Sequence, residues 1–161
     1  MRKIVLVRHA KSSWEYNLTD HERPLNQKGI NDAHMVSKAI YDKINPDLIF
    51  SSDAVRAKTT ASIFVSNLVI SPDKFVLNHS LYDFSGSDLL SVIKSCSDSV
   101  NELMVFGHNN AITNFVNAYG SIYIDNVPTC GVTIIEFEIE SWKNLKKGKT
   151  VEILFPRDLK S

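Results

Sequence analysis

Four consecutive apolar residues, Ile4-Val5-Leu6-Val7, run without a break into Arg8 and His9. So short a run, rich in β-branched residues and without 3.6-residue recurrence, predicts a strand buried on both faces, as in parallel sheets covered by helices. Further short apolar runs predict strands over 47–50, 74–77, 103–106, 132–139 and 150–155. Helical recurrence fills the spaces between them. Ile30, Ala33, Val36 and Ile40 form one apolar stripe within 24–43, and Asn45-Pro46 ends it because the residue before proline avoids the helical region. Ala57, Thr60, Ala61, Phe64 and Leu68 mark a second helix, with Ser52 or Asp53 as its cap. Helices over 88–97 and 111–119 complete the pattern, the second capped by Asn109 and Asn110.

This alternation predicts an α/β fold, a three-layer α/β/α sandwich on a mostly parallel sheet. The last two strands, bridged by the Lys-rich turn from Trp142 to Gly148, predict an antiparallel C-terminal edge. No Gly/Pro/Ser-rich linker interrupts the chain, so residues 1–161 read as one domain.

In open α/β sheets, ligands sit outside the carboxyl ends of the strands. Three predicted strands deliver polar groups there: the first ends in Arg8-His9, the second leads through Ser51-Ser52 to Arg56, and the fourth ends in Gly107-His108. Two histidines and two arginines in one pocket point to an anion. The planar guanidinium fork donates two parallel hydrogen bonds to a tetrahedral oxyanion. Helix N-termini near Arg56 and Asn109 add backbone donors, and a neutral histidine is a nucleophile for phosphorus. A metal centre is disfavoured, since there is no His-x-x-His, His-Glu-x-x-His or Cys-x-x-Cys and two arginines repel a cation. No Gly-rich turn follows the first strand, which removes dinucleotide and P-loop sites, and no Gly-x-Ser-x-Gly elbow marks a serine hydrolase.

Bulk charge narrows the partners. Eighteen Lys+Arg balance eighteen Asp+Glu, which removes the electrostatic case for nucleic acid or an anionic membrane surface. The two cysteines, Cys96 and Cys130, are too few for a disulfide scaffold. With no apolar run of membrane-spanning length and an N-terminus that enters a strand directly, a cytoplasmic protein is expected.

Arg8-His9-Ala10 resembles the Arg-His-Gly signature of the histidine phosphatase superfamily, the phosphoglycerate-mutase-like fold. The resemblance continues in Arg23-Pro24-Leu25-Asn26-Gln27-Lys28-Gly29, in the stretch from Ser51 through Arg56 to Ala61, and in Gly107-His108-Asn109. Small size and Arg-His-Ala-Lys-Ser-Ser-Trp at 8–14 are similar to the SixA-like phosphohistidine phosphatases. The resemblance implies that His9 is the phosphorylated nucleophile, that Arg8 and Arg56 clamp the phosphoryl oxygens, and that His108 donates to an oxygen as charge develops. The other ring nitrogen of His9 is then expected to donate to a carbonyl or carboxylate.

Asp83 stands in the loop where the family carries its proton donor, and is either that acid or a solvated loop aspartate. Ser12 is either a phosphate contact or a loop serine facing water. Ala10 replaces the signature glycine, and Glu15 stands where mutases carry an asparagine, so it is expected to point away from the anion. Arg23 is expected to close the long loop by an ion pair with Asp20 or Glu22, and His21, His34 and His79 to be structural or exposed.

The implied activity is metal-independent and cofactor-free hydrolysis through phospho-His9, on a phosphorylated protein with phosphohistidine as the expected group. A broad small-molecule phosphomonoesterase and a non-catalytic phosphate- or phosphopeptide-binding module are the alternatives. The physiological substrate and the oligomeric state are left open by the sequence.

Overall fold

The structure, a computed structural model, describes residues 1–160; Ser161, the last position of the expected domain, lies outside the described residues. Six strands form one mixed sheet in the order β3-β2-β4-β1-β5-β6. They are β1 (Arg2–Arg8), β2 (Leu48–Ser51), β3 (Phe75–Leu77), β4 (Glu102–Gly107), β5 (Val132–Phe137) and β6 (Lys149–Leu154). The helices are α1 (Gln27–Ala39), α2 (Val55–Asn67), α3 (Ser87–Lys94) and α4 (Ala111–Tyr119). β1, β2, β3 and β4 pair in parallel, while β5 runs antiparallel to both β1 and β6. The fold is thus the expected α/β sandwich with an antiparallel C-terminal edge.

The period-two geometry of a strand explains the solid apolar run of β1. Ile4 and Leu6 enter one core with α3 and α4, while Val5 and Val7 enter the other with α1 and α2. All four side chains are fully buried, and each contributes about 1.5–3 kcal/mol of transfer free energy. β4 divides the same way, Leu103 and Val105 to one side, Met104 and Phe106 to the other. The register aligns Arg8 with Gly107 and Ser51 with Phe106, so the carboxyl ends of β1, β4 and β2 share one edge.

Three helix starts differ from expectation. α1 begins at Gln27 rather than near Pro24, because Ser12 and Leu25 pair across an antiparallel bridge and keep the chain extended. The Asn26 side chain then accepts from the Gly29 N–H at 2.8 Å, closing the first turn. α2 has no side-chain cap on its N-cap Ala54. Ser52 Oγ accepts from the Ala54 N–H at 3.2 Å one turn earlier, and Asp53 is engaged by histidines. In α4 the expected pair splits: Asn109 Oδ1 accepts from the Thr113 N–H and hydroxyl, while Asn110 makes no side-chain cap bond.

Gly29 sets how closely α1 approaches the loop after His9. A Cβ built there would lie 2.1 Å from the Lys11 carbonyl oxygen, a backbone atom that cannot swing aside. Gly29→Ala is expected to destabilise the protein by about 2–3 kcal/mol through overpacking, measured as a lowered urea midpoint at unchanged m-value.

Candidate active site

His9 is the first residue beyond β1, and its N–H donates to the Gly107 carbonyl at 3.0 Å. Its ring is largely buried, and Nδ1 lies 2.7 Å from the Ala10 carbonyl oxygen. A carbonyl only accepts, so the proton sits on Nδ1 and the lone pair on Nε2. This is the tautomer that the sequence argument asked for. Ala10 itself is fully buried with its N–H donating to Thr60 Oγ1 at 3.0 Å, and its backbone avoids the left-handed region, so the methyl group in place of a glycine hydrogen is accommodated.

His108 extends the end of β4 and packs against His9 with ring centroids 5.2 Å apart. Its Nε2 lies 2.8 Å from Ser52 Oγ, which also accepts from the Ala54 N–H. Every proton is used when the Ser52 hydroxyl donates to Nε2, which leaves the His108 proton on Nδ1. Nδ1 is buried and has no partner among the described residues. Burial, above all, pushes both histidines down to a pKa of about 3; the charges of Arg8 and Arg56 add to this, with Arg23 acting on His9 and His9 itself on His108. Both rings are therefore neutral at pH 7.

The arginines form a connected group around a carboxylate absent from the sequence-based site. Asp20 accepts from Arg56 Nη2 at 2.9 Å, from Arg23 Nη2 at 3.1 Å and Nε at 3.2 Å, and from the Tyr82 hydroxyl at 2.6 Å. Burial alone raises its pKa, but the hydrogen bonds from Tyr82, Arg56 and Arg23 and the charge of Arg56 outweigh it and hold the carboxyl well below the usual range. Arg56, almost wholly buried on the first turn of α2, also donates Nη1 to the Asp20 carbonyl at 2.6 Å. Arg8 donates Nη1 to the Val127 carbonyl at 2.9 Å. The Nε atoms of Arg8 and Arg56 are both buried without a partner among the described residues. Arg23 pairs with Asp20 as expected; it also donates to Ser12 Oγ at 2.6 Å and covers the Trp14 ring at 3.5 Å.

The remaining candidates fall differently. Asp83 is not a solvated loop residue. Its largely buried carboxylate accepts from the backbone N–H groups of Ser85, Gly86, Asp88 and Leu89 and from the Ser85 hydroxyl, all at 3.0–3.2 Å. It caps the start of α3. Burial raises its pKa, but the backbone donors prevail and hold it below its ordinary value, which is the wrong direction for a general acid. Ser12 is buried against Arg23 and reaches the cluster only through that guanidinium. Glu15 is exposed, as expected of a carboxylate beside an anion site.

Asp20, Arg23 and Tyr82 were missed as site components. The one local signal was Asp20 and Arg23 three apart, the spacing of neighbours on a single helical turn.

Residues 4–75 match the family model described as the histidine phosphatase superfamily, branch 1. An uncharacterised chloroplastic protein of Arabidopsis thaliana is 29% identical over 157 residues, covering 88% of this chain and 69% of that one. A 2,3-bisphosphoglycerate-dependent phosphoglycerate mutase of Chlamydia abortus is 27% identical over 150 residues, 91% of this chain and 62% of its own. Among solved structures, a SixA structure from Agrobacterium tumefaciens superposes with TM-score 0.81 at 24% identity, covering 96% of this chain and 98% of that one. The protein histidine phosphatase SixA complexed with tungstate superposes with TM-score 0.79 at 17% identity, over 98% and 99%. The family model spans the motifs at 8–10 and 51–61: over residues 4–75 the chain is similar to the histidine phosphatase superfamily, and the whole chain has a SixA-like fold.

Proposed function

We propose that this protein is a phosphatase that works through phospho-His9 and prefers phosphohistidine on a protein. One observation carries the reading. Three buried N–H donors on the residues gathered at this sheet edge, Arg8 Nε, Arg56 Nε and His108 Nδ1, have no acceptor among the described residues. Buried donors left unpaired are costly, and the oxygens of a phosphoryl group supply the missing acceptors. The superposable SixA that holds tungstate, a tetrahedral oxyanion, supports the same ligand class.

In this mechanism the Nε2 lone pair of His9 forms the bond to phosphorus as the bond to the leaving group breaks. The Ala10 carbonyl stabilises the positive charge that spreads to Nδ1–H. Arg8, Arg56 and His108 donate to the phosphoryl oxygens, each preorganised donor contributing on the order of 10² to 10³ in rate. Water then attacks phosphorus, the Nε2–P bond breaks with its electron pair returning to Nε2, and inorganic phosphate departs. Arg23 and Asp20 position Arg56. No step uses a metal or a cofactor.

The substrate preference rests on the missing acid. With Asp83 committed to the α3 cap, no carboxylic acid in the cleft protonates a departing alkoxide. Phosphohistidine with a proton on its other ring nitrogen departs as neutral imidazole and needs none. The buried free thiols of Cys96 and Cys130 suit a reducing compartment such as the cytoplasm.

Hydrolysis of a phosphohistidine peptide, an aryl phosphate and a sugar phosphate should be compared at one enzyme concentration. The expected order of kcat/KM is phosphohistidine, then aryl phosphate, with the sugar phosphate at least ~100-fold below the first, a gap typical of losing general-acid assistance. Equal rates on all three would replace this reading with a broad phosphomonoesterase, and no turnover of any would favour a binding module.

A further inference from the structure

At the rim of the cleft, outside the residues assigned to chemistry, two histidines converge on one carboxylate. His21 Nε2 lies 2.9 Å from Asp53 Oδ1, and His79 Nδ1 lies 3.0 Å from both Asp53 oxygens. One ligand atom from each of the three can be chosen so that all lie within 4.8 Å of one another. Among the described residues no other His/Cys/Asp/Glu trio is drawn together in this way. From the sequence both histidines were expected to be structural or exposed; the fold instead gathers them from three separate segments. His21 lies in the 3-10 turn Asp20–Glu22, Asp53 between β2 and α2, and His79 at the start of the 3-10 turn His79–Leu81.

We propose that His21, Asp53 and His79 bind one divalent cation of the zinc class. Zinc bonds of about 2.0–2.1 Å at tetrahedral angles place ligand atoms roughly 3.3 Å apart. The two nitrogen–oxygen distances are within about 0.4 Å of that spacing, and only the histidines need adjust toward each other. Two imidazoles and one carboxylate suit zinc, cobalt or nickel, whereas magnesium and calcium take all-oxygen sets. The site is open to solvent, with the His79 side chain 75% exposed and those of His21 and Asp53 35% and 30%, so entry requires no opening and the fourth position falls to water. Coordination uses the lone pairs of His21 Nε2 and His79 Nδ1, so in each bound ring the proton sits on the other nitrogen. Cys96 and Cys130 do not compete, being buried with burial pushing both thiols upward.

The cation would sit apart from the reaction but not from the cleft. Tyr82, which donates to Asp20, packs edge-on against His21 at 4.9 Å and against His108 at 5.3 Å between ring centroids. Asp20 precedes His21 directly, so a bond at His21 pins the segment that holds Arg23 and Arg56.

Titration of chelator-stripped, full-length protein with zinc chloride by calorimetry tests this. The expected result is one zinc per chain, with affinity at least tenfold weaker in His79→Ala and in His21→Gln, no response to magnesium chloride, and visible d–d absorption when cobalt chloride replaces zinc. Thermal melting of the metal-free variants confirms folding, which the exposure of His79 favours. Absence of saturable binding, or equal affinity in both variants, overturns the proposal; the latter would put the cation on other groups, such as the His9–His108 pair.

Discussion

His9→Ala is expected to lower turnover by on the order of 10⁴-fold or more, the scale seen when a covalent nucleophile is removed, and to abolish an acid-labile, base-stable phosphoryl label acquired from an acyl phosphate. Nε2 of His9 carries the free lone pair because its Nδ1 proton is committed to the Ala10 carbonyl, and burial keeps the ring unprotonated. Nothing else in the cleft combines a lone pair with neutrality: His108 keeps its lone pair against the Ser52 hydroxyl and offers a proton instead, and the arginines only donate. The variant should still bind inorganic phosphate within a few-fold, since the unpartnered donors of Arg8, Arg56 and His108 remain. His108→Ala should behave differently, losing about 10² to 10³ in rate while still accepting the label. Full turnover by His9→Ala would exclude a phosphohistidine intermediate at this position.

The second large effect is on stability as the solution is acidified. His9 and His108 have folded pKa values of about 3, against roughly 6.5 in an unfolded chain. Between these limits the unfolded state binds more protons than the folded one, so stability is complete above about 6.5 and drains away as pH falls toward 3. Each histidine contributes up to about 1.4 kcal/mol per pH unit in that window, and the pair up to roughly 2.7 kcal/mol per pH unit. The depressed carboxyl groups of Asp20, Asp53 and Asp83 act in the same direction but only below their ordinary value of 3.8. The loss between pH 6.5 and 4.5 therefore belongs to the histidines. Urea midpoints measured across that range should fall steadily, and His108→Gln, which cannot titrate, should flatten the fall. A midpoint independent of pH over this range would mean that the rings are solvated and already charged. The same depression keeps His9 nucleophilic in mild acid, so the acid limb of kcat/KM lies well below pH 6.5 as long as the fold survives.

Much of this architecture is written in local pattern. The apolar run at 4–7, its echo at 103–106 and the stripe over α2 mark the strands and helices that bring His9, His108 and Arg56 to one edge, because burial on both sheet faces leaves no polar alternation to confuse them. α4 occupies Ala111–Tyr119, the range its pattern predicted. The loop from Ala10 to Asn26 carries no periodicity, and its contribution was hidden for that reason. Asp20 meets Arg56, 36 positions further along the chain, through a tertiary ion pair that no spacing rule reports. Asp83 was left open between two roles for a different reason. The run Asp83-Phe84-Ser85-Gly86 followed by Ser87 is a turn leading into a helix, and Gly86 adopts φ 115°, a conformation that glycine tolerates at little cost. An aspartate ahead of such a turn finds free N–H groups at the helix start before it finds a substrate.

The place of Asp20 between two guanidinium groups also sets a charge balance. With both cleft histidines neutral, the fixed charges are those of Arg8, Arg23 and Arg56 against one carboxylate, a surplus of two positive charges. A phosphoryl group carries close to two negative charges at neutral pH and brings the cleft to electroneutrality. A sulfuryl group of the same tetrahedral shape carries one and leaves a buried cation unmatched. Discrimination between the two esters then needs no steric device: one aspartate, by subtracting a single charge from three arginines, tunes the cleft to the valence of its anion.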